Sequence, residues 1–178
     1  MIIQAHDKKF KPYISADEIN NRIKKLAEEI SIDYAGKRPL CIAILNGSFM
    51  FASDLFKHIS IDVEISFIKL ASYKGTKSTG NVITSIGLDE QLKERHIIII
   101  EDIVDTGKTL SQFLPQLFDQ QPASLKIAAL LSKPESLAYP IKIDYLGFKV
   151  PNKFLLGFGL DYDGLGRNSA AIYELIEG

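Results

Sequence analysis

The feature of the sequence that most constrains the fold is a run of four isoleucines, residues 97–100, which is followed at once by acidic residues. His96–Ile100 is the most hydrophobic run of the chain, and we predict that it forms the central strand of a sheet. Leu40–Leu45 is a second apolar run, too short for a helix and bounded by Pro39 and Gly47. Unbroken apolar runs of this kind are typical of strands covered on both faces, as in a parallel sheet.

The rest of the chain alternates between helical and strand patterns. A capping box opens a helix at about Ser15–Ile30, and further helices are predicted at Phe49–Ile59 and Thr109–Phe118, the last kinked or shortened by Pro115. This alternation predicts an α/β fold with a mainly parallel twisted sheet flanked by helices. The remaining strands, of which the first two form a hairpin, are expected at Val63–Leu70, Val82–Ile86, Lys126–Leu131, Ile143–Phe148 and Phe154–Phe158.

Length and composition exclude several classes of protein. The 178 residues predict one domain over positions 1–178, and a content of 46% hydrophobic and 24% charged residues is not that of a disordered chain, a collagen or a coiled coil. A net charge of −1 argues against a nucleic-acid partner. Because no long apolar run or secretion signal is present and Cys41 is the single cysteine, we expect no membrane partner, no disulfide and a cytoplasmic location.

Three carboxylates follow the isoleucine run within five residues: Glu101, Asp102 and Asp105. Ligands of open α/β sheets bind beyond the carboxyl ends of the strands, so this position predicts a functional site. A solvated acidic loop would account for one such carboxylate. It accounts poorly for two that directly abut an all-isoleucine strand.

The next four residues, Thr106–Thr109, have the features of a phosphate-binding turn. Free N–H groups and the positive end of a helix dipole converge there, and Gly107 allows the backbone to approach a ligand closely. The turn is not a P-loop, because Asp102 stands where that motif requires its first glycine. Carboxylates beside such a turn can accept hydrogen bonds from sugar hydroxyls or bind magnesium. A ligand that satisfies all these groups is 5-phosphoribosyl 1-diphosphate.

Taken together, these residues resemble a known family. Ile97–Thr109 resembles the ribose-phosphate signature of the type I phosphoribosyltransferases, and four other segments resemble that family in its own order. The specific resemblance is to the hypoxanthine (hypoxanthine-guanine) phosphoribosyltransferases. The four segments are the pyrophosphate loop at Leu45–Ser48, the start of the mobile catalytic loop at Ser72-Tyr73, the 6-oxopurine lysine segment at Lys133-Pro134, and the purine-binding hood at Val150–Tyr162.

The resemblance implies a role for each residue that matches a motif. Glu101 and Asp102 would bind the ribose hydroxyls and hold magnesium, for which manganese may be exchanged, and Asp161 would hold a second metal ion. Asp105 would lie near purine N7 as the catalytic acid/base. The 5-phosphate would be held by Asp105, Thr106, Gly107, Lys108 and Thr109.

The same resemblance implies the contacts of the purine and of the pyrophosphate. Lys133 would donate to purine O6, Phe154 would stack on the ring, and Leu155 would offer its backbone to the base edge. Many members of the family carry Lys or Arg at the position of Asn46, so an ionic contact is lost there. The pyrophosphate would be held by Asn46, Gly47, Ser48 and Arg167, and Ser72 and Tyr73 would close over the transition state.

At the level of the whole protein, the resemblance implies purine salvage: hypoxanthine, and also guanine, would react with 5-phosphoribosyl 1-diphosphate to give the nucleoside monophosphate and pyrophosphate. It implies a small hood built from parts of 1–14 and 133–178, a mobile loop at 71–81 over the active site, and a homodimer or homotetramer.

Other interpretations remain open from the residues alone. Lys133 is compatible with a solvated strand end, Phe154 with core packing, and Asp161 with Arg167 as a surface ion pair. A receiver-type signalling domain also places paired acids after an apolar strand, but it needs neither the phosphate turn nor the hood. An RNA-binding regulator on the same scaffold would show a basic face, which the net charge does not support.

Overall fold

The structure is a computed structural model that describes residues 1–71, 83–86 and 91–176. Three α-helices lie in these ranges: α1 (Ala16–Asp33), α2 (Phe49–His58) and α3 (Lys108–Phe118). The described strands are β1 (Ile3–Ala5), β2 (Lys8–Ile14), β3 (Leu40–Leu45), β4 (Glu64–Ala71), β5 (Ile83–Ile86), β6 (His96–Val104), β7 (Ser124–Ser132), β8 (Tyr145–Lys149), β9 (Leu155–Leu156) and β10 (Ile172–Leu175).

The larger sheet has six strands in the order β5-β4-β3-β6-β7-β8. All its neighbouring strands are parallel except β4 and β5, which form the predicted antiparallel hairpin. The prediction that the isoleucine run is a central strand is confirmed, because β6 lies between β3 and β7. The strand continues past Ile100 to Val104, since residues 101, 103 and 104 still pair with β7.

The four isoleucines are apolar without interruption because each face of the sheet has its own core. Ile98 and Ile100 pack with residues of α1 and α2, whereas Ile97 and Ile99 pack with residues of α3. Helices on both faces therefore leave no side of β6 exposed to water, and the fold is the predicted α/β class. Cys41 lies in the same core, where burial raises the pKa of its thiol to about 12.

The first helix begins as its sequence predicts. The Ser15 hydroxyl accepts from the Glu18 N–H, and the Glu18 carboxylate accepts from the Ser15 N–H at 2.9 Å, so the capping box is formed. In α3 the helix continues to Phe118, three residues past Pro115, so the early end that we considered does not occur.

A second, four-stranded antiparallel sheet has the order β1-β2-β10-β9 and is formed by residues from both ends of the chain. No strands were predicted at β1, β2 or β10. A strand was predicted over Phe154–Phe158, but only Leu155–Leu156 forms one. The chain turns immediately afterwards, with positive φ at Gly157, Phe158 and Gly159. The extent of one domain over 1–178 stays a prediction.

Among the described residues, no helix combines the length and the apolar character that crossing a membrane requires.

Candidate active site

The predicted site residues meet where β3, β6 and β7 reach their carboxyl ends. Asn46–Ser48 follows β3, Asp105–Thr109 follows β6, and Lys133 follows β7. Glu101 and Asp102 lie within the last part of β6 rather than beyond it. Parallel strands bring their ends to one edge of the sheet, so residues separated by up to about ninety positions share one region.

Glu101 and Asp102 are neighbouring, partly buried acidic residues. The Oε2 atom of Glu101 has no hydrogen-bond partner among the described residues. Burial raises the pKa of Glu101 well above its ordinary value, and the neighbouring charge and hydrogen bond of Asp102 raise it further. Burial also raises the pKa of Asp102, against the opposing effect of hydrogen bonds from Glu101 and from the Ile103 N–H at 2.9 Å. Burial thus favours the neutral form of these two groups, whereas a bound cation would favour their charged form.

This donor set fits a hard divalent cation such as magnesium. Carboxylate oxygens are its preferred protein ligands, and an unpartnered buried oxygen gains most from one. Within the described part of the chain, no three His, Cys, Asp or Glu side chains group into a complete metal site. Asp161 is accordingly not part of one cluster with Glu101 and Asp102, and a cation at either place would need oxygen ligands from a substrate or from water.

The turn after β6 surrounds a small cavity of about 100 Å³, which is lined by residues 101 and 103–110. Gly107 has φ +77°, and a Cβ atom there would lie 2.6 Å from the Tyr139 carbonyl oxygen, so both its backbone conformation and its surroundings require glycine. The Thr106 carbonyl accepts from the N–H groups of Ala138 and Tyr139, each at 3.0 Å. The segment after Lys133 thus supports the turn, a contribution that the sequence analysis missed.

Lys133 and Asp105 lie in direct contact. The Lys133 side chain is 10% exposed, and its Nζ donates to Asp105 Oδ2 at 3.0 Å. The Lys133 N–H donates to the Val104 carbonyl, which fixes its backbone beside the end of β6. The alternative of a solvated lysine at a strand end is therefore wrong. Two residues 28 positions apart form one ion pair beside the phosphate turn.

Phe154 does not belong to the core, since 44% of it is exposed. Its ring makes an edge contact with Tyr162 at 5.7 Å between centroids and a tilted contact with Phe10 at 6.1 Å. The core-packing alternative is wrong for this residue, because its ring remains exposed beside these two contacts. Leu155 is buried and extends into β9. Phe10 and Tyr162 had no role in the sequence analysis, because β2 was not recognised as part of this region.

The turn after β3 packs tightly against Asp102. A Cβ atom on Gly47 would collide with the Asp102 carboxylate, and one on Gly159 would collide with the Gly47 carbonyl, so glycine is required at both positions. Ser48 is buried, and its hydroxyl donates to the Ile44 carbonyl at 2.6 Å. The Leu45–Asn46 peptide bond is cis.

Arg167 and Asp161 form the ion pair that the sequence left open, with Nη2 and Oδ1 2.7 Å apart. Arg167 Nη1 also donates to the Gly159 carbonyl at 2.7 Å, and Asp161 Oδ2 accepts from the Gly164 N–H at 2.7 Å. The positive charge of Arg167 is near enough to Asp102 to favour its ionised form and so to lower its pKa. The arginine is thus held beside Gly47 and Asp102.

Ser72 and Tyr73, the predicted start of the mobile loop, lie outside the described residues. Every other predicted site residue lies within them.

Comparisons with known proteins agree with this geometry. Residues 15–163 match the family described as the phosphoribosyl transferase domain. A hypoxanthine-guanine phosphoribosyltransferase of Lactococcus lactis is 45% identical over 89% of this chain and 86% of its own length. One of Streptococcus pneumoniae is 42% identical over 94% of this chain and 93% of its own. The solved structure of a hypoxanthine phosphoribosyltransferase from Staphylococcus aureus has a TM-score of 0.88 at 38% identity, covering 93% and 91% of the two chains. Over most of its length, in sequence and in fold, this chain belongs to the phosphoribosyltransferase family.

Proposed function

We propose that this protein is a purine salvage enzyme, which transfers the 5-phosphoribosyl group from 5-phosphoribosyl 1-diphosphate to hypoxanthine or guanine and releases pyrophosphate. The observation that carries the proposal is the 3.0 Å contact between Lys133 and Asp105 at the edge of the phosphate turn. It joins a buried donor suited to a 6-oxo group with a carboxylate suited to proton transfer. The relatives named above are called hypoxanthine-guanine phosphoribosyltransferases, which supports the same substrates here.

The sugar diphosphate would bind along the carboxyl edge of the sheet. The amides and hydroxyls of Thr106–Thr109 would hold the 5-phosphate, with the positive end of the α3 dipole favouring its charge. Glu101 and Asp102 would accept hydrogen bonds from the ribose hydroxyls. The amides of Gly47 and Ser48, together with Asn46 and Arg167, would bind pyrophosphate. The contacts of Arg167 with Asp161 and with the Gly159 carbonyl, which restrain its side chain, support this role.

Magnesium, held by the carboxylates of Glu101 and Asp102 and in a second position by Asp161, would supply positive charge that stabilises the departing pyrophosphate. Manganese would serve the same purpose. The positive guanidinium of Arg167 and the loop amides would act on the same developing negative charge. Ser72 and Tyr73 would shield the electron-poor sugar carbon from water during the transfer.

The purine would be recognised by groups from two segments. Lys133 carries only donors, so it would satisfy the O6 acceptor of hypoxanthine or guanine but not the amino group of adenine. The Leu155 backbone would contact the edge of the base. The exposed ring of Phe154 would stack on the purine ring. When Lys133 donates to purine O6 instead of to Asp105, the Asp105 carboxylate would be free to exchange a proton with purine N7.

The working form of the enzyme is proposed to be a homodimer or homotetramer in the cytoplasm, with no nucleic-acid or membrane partner. The balanced charge of the chain gives nucleic acid no general attraction.

A turnover assay with different purines tests the proposal. With magnesium present, hypoxanthine and guanine should both be converted to nucleotides, while kcat/KM for adenine should be lower by roughly 10⁴-fold or more because its amino group leaves Lys133 unpaired. Manganese should restore activity after chelation of magnesium. Comparable kcat/KM for adenine and hypoxanthine would contradict the role of Lys133, and full turnover in excess chelator would contradict the metal assignment.

A further inference from the structure

Glu174 is a buried carboxylate that the proposed mechanism does not use. Only 6% of the residue is exposed. Its Oε2 atom accepts from Lys153 Nζ at 2.6 Å, and its Oε1 atom lies 3.1 Å from Lys11 Nζ. The hydrogen bonds from Lys153, which has the larger effect, and from Lys11 lower the pKa of Glu174. The side chain therefore stays charged at neutral pH. Two ammonium groups, one from β2 and one from the segment before β9, therefore meet on one carboxylate.

Glu174 lies in the small sheet between β2 and the segment that would bind the purine. Glu174 pairs directly with Leu155 of β9 on one side and with Lys11 of β2 on the other. The next residue, Leu175, donates its N–H to the Phe154 carbonyl at 3.0 Å. Glu174 thus lies on the strand next to the segment that would bind the purine, and its carboxylate is hydrogen-bonded to that segment through Lys153.

We propose that Glu174 is a positioning residue for the purine: by holding Lys153 and Lys11 together, it fixes the segment Lys153–Leu155 so that the Phe154 ring and the Leu155 backbone face the base. This inference rests on the proposed function, since it assumes that a purine binds at Phe154 and Leu155.

The shortness of β9 is the physical reason that such a contact is needed. The strand has two residues, and its ladder with β10 consists of the pairs Tyr173 with Leu156 and Glu174 with Leu155. Two pairs of residues restrain the orientation of a segment only weakly, and Phe154, which directly precedes β9, is exposed. A charge-assisted hydrogen bond to a carboxylate that is itself held by a second strand adds the missing restraint.

Equilibrium binding of two product-like ligands tests the proposal. Inosine 5-monophosphate contains both the base and the ribose phosphate, whereas ribose 5-phosphate contains only the latter. In titration calorimetry, Glu174→Gln should raise the Kd of the nucleotide by about 5–10-fold, as expected for loss of one charge-assisted hydrogen bond, and leave the Kd of ribose 5-phosphate unchanged within twofold. In turnover assays, KM for hypoxanthine should rise more than KM for the sugar diphosphate.

A double-mutant cycle examines whether Glu174 acts through Lys153. Lys153→Met should weaken nucleotide binding in the same way as Glu174→Gln, and the double variant should be no worse than Glu174→Gln alone, because that change already removes the contact with Lys153. If the Glu174 variant does not fold, Lys153→Met alone provides the result, since the Lys153 side chain is 46% exposed and its replacement is tolerated more easily.

Glu64→Gln is the matched control. Its carboxylate also binds two cations, Arg38 at 2.7 Å and Arg95 at 2.9 Å, but it stands at the amino end of β4, away from the proposed site. The control should change neither Kd. Unchanged nucleotide binding in the Glu174 and Lys153 variants would overturn the inference, as would equal weakening of both ligands. A wild-type protein that neither binds the nucleotide nor turns over hypoxanthine would instead refute the proposed function.

Discussion

Strands β6 and β7 carry ionisable groups at both of their ends, and the two ends of the sheet satisfy them differently. At the amino end, Asp33 at the end of α1 accepts from Tyr145 OH at 2.6 Å and from Lys126 Nζ at 2.8 Å. At the carboxyl end, Glu101 and Asp102 are adjacent and partly buried, and the buried Glu101 Oε2 atom has no partner in the described part of the chain.

The pKa directions follow this difference. Hydrogen bonds from Lys126 and Tyr145 lower the pKa of Asp33, and those same contacts raise the pKa of Lys126. Burial and mutual repulsion instead raise the pKa of Glu101. At the amino end the pairing of Asp33 with Lys126 stabilises the scaffold, whereas at the carboxyl end Glu101 Oε2 has no partner among the described residues and is left for a ligand. A fold gives up some stability at a site of this kind.

The largest expected effect of a single substitution separates the two ends by activity. Asp105→Asn should lower kcat by about 10²–10⁴-fold, because a positioned acid/base is removed while the shape of the turn is kept. Binding of the sugar diphosphate should change much less. Asp33→Asn, the same substitution at the amino end, is the control and should leave kcat unchanged. A kcat for Asp105→Asn within a fewfold of the wild type would make Asp105 a structural residue.

The next prediction concerns stability at the carboxyl end. Glu101→Gln should abolish most activity and yet raise the Tm of the ligand-free protein by about 2–4 °C, corresponding to roughly 1 kcal/mol in a chain of this size. An acid whose folded pKa is raised costs stability as the pH increases through that pKa. The gain should therefore be largest at neutral pH and disappear below about pH 4, where the glutamate is protonated in both states. A lower Tm of the variant at neutral pH would show that the Glu101 carboxyl group does not destabilise the ligand-free protein.

The smallest expected effect lies at the amino end and has the opposite sign. Asp33→Asn should lower the free energy of unfolding at neutral pH by no more than about 1 kcal/mol, because the pair with Lys126 is partly exposed to solvent. The pKa of Asp33 is lowered in the folded state, so its contribution is present at neutral pH and lost as the pH falls through that lowered value. Denaturant titrations at neutral and acidic pH should show the difference shrinking in acid. A stabilised variant would contradict the comparison.

Local features of the site were predictable because neighbouring residues create them. The isoleucine run predicts β6, the carboxylates that follow it predict a polar edge, and Gly107 before a helical pattern predicts the phosphate turn. The capping box of α1 is likewise formed by residues three positions apart. In each case the signal and the structure lie within one short segment, so the backbone preferences of that segment decide the outcome.

The contacts that complete the site could not be predicted in this way. Lys133 reaches Asp105 because β7 lies next to β6, and the sequence pattern of Lys133 alone favoured a solvated side chain. The strand predicted over Phe154–Phe158 stops after Leu156 because positive φ angles turn the chain. The ion pair between Glu174 and Lys11 joins positions near opposite ends of the chain, and it depends on the pairing of β2 with β10, two strands that were not predicted.

Hydrophobic periodicity and turn chemistry act over a few residues, so the class of fold, the succession of helices and strands of the larger sheet along the chain and the residue types at its carboxyl edge could be predicted. Which charges are paired depends on the tertiary structure. Asp33 and Glu101 are both acids beside apolar segments, but strand order brings Lys126 to one and leaves the other beside Asp102. The free energy of a charge depends on burial and on its partners in space, and sequence distance does not report either.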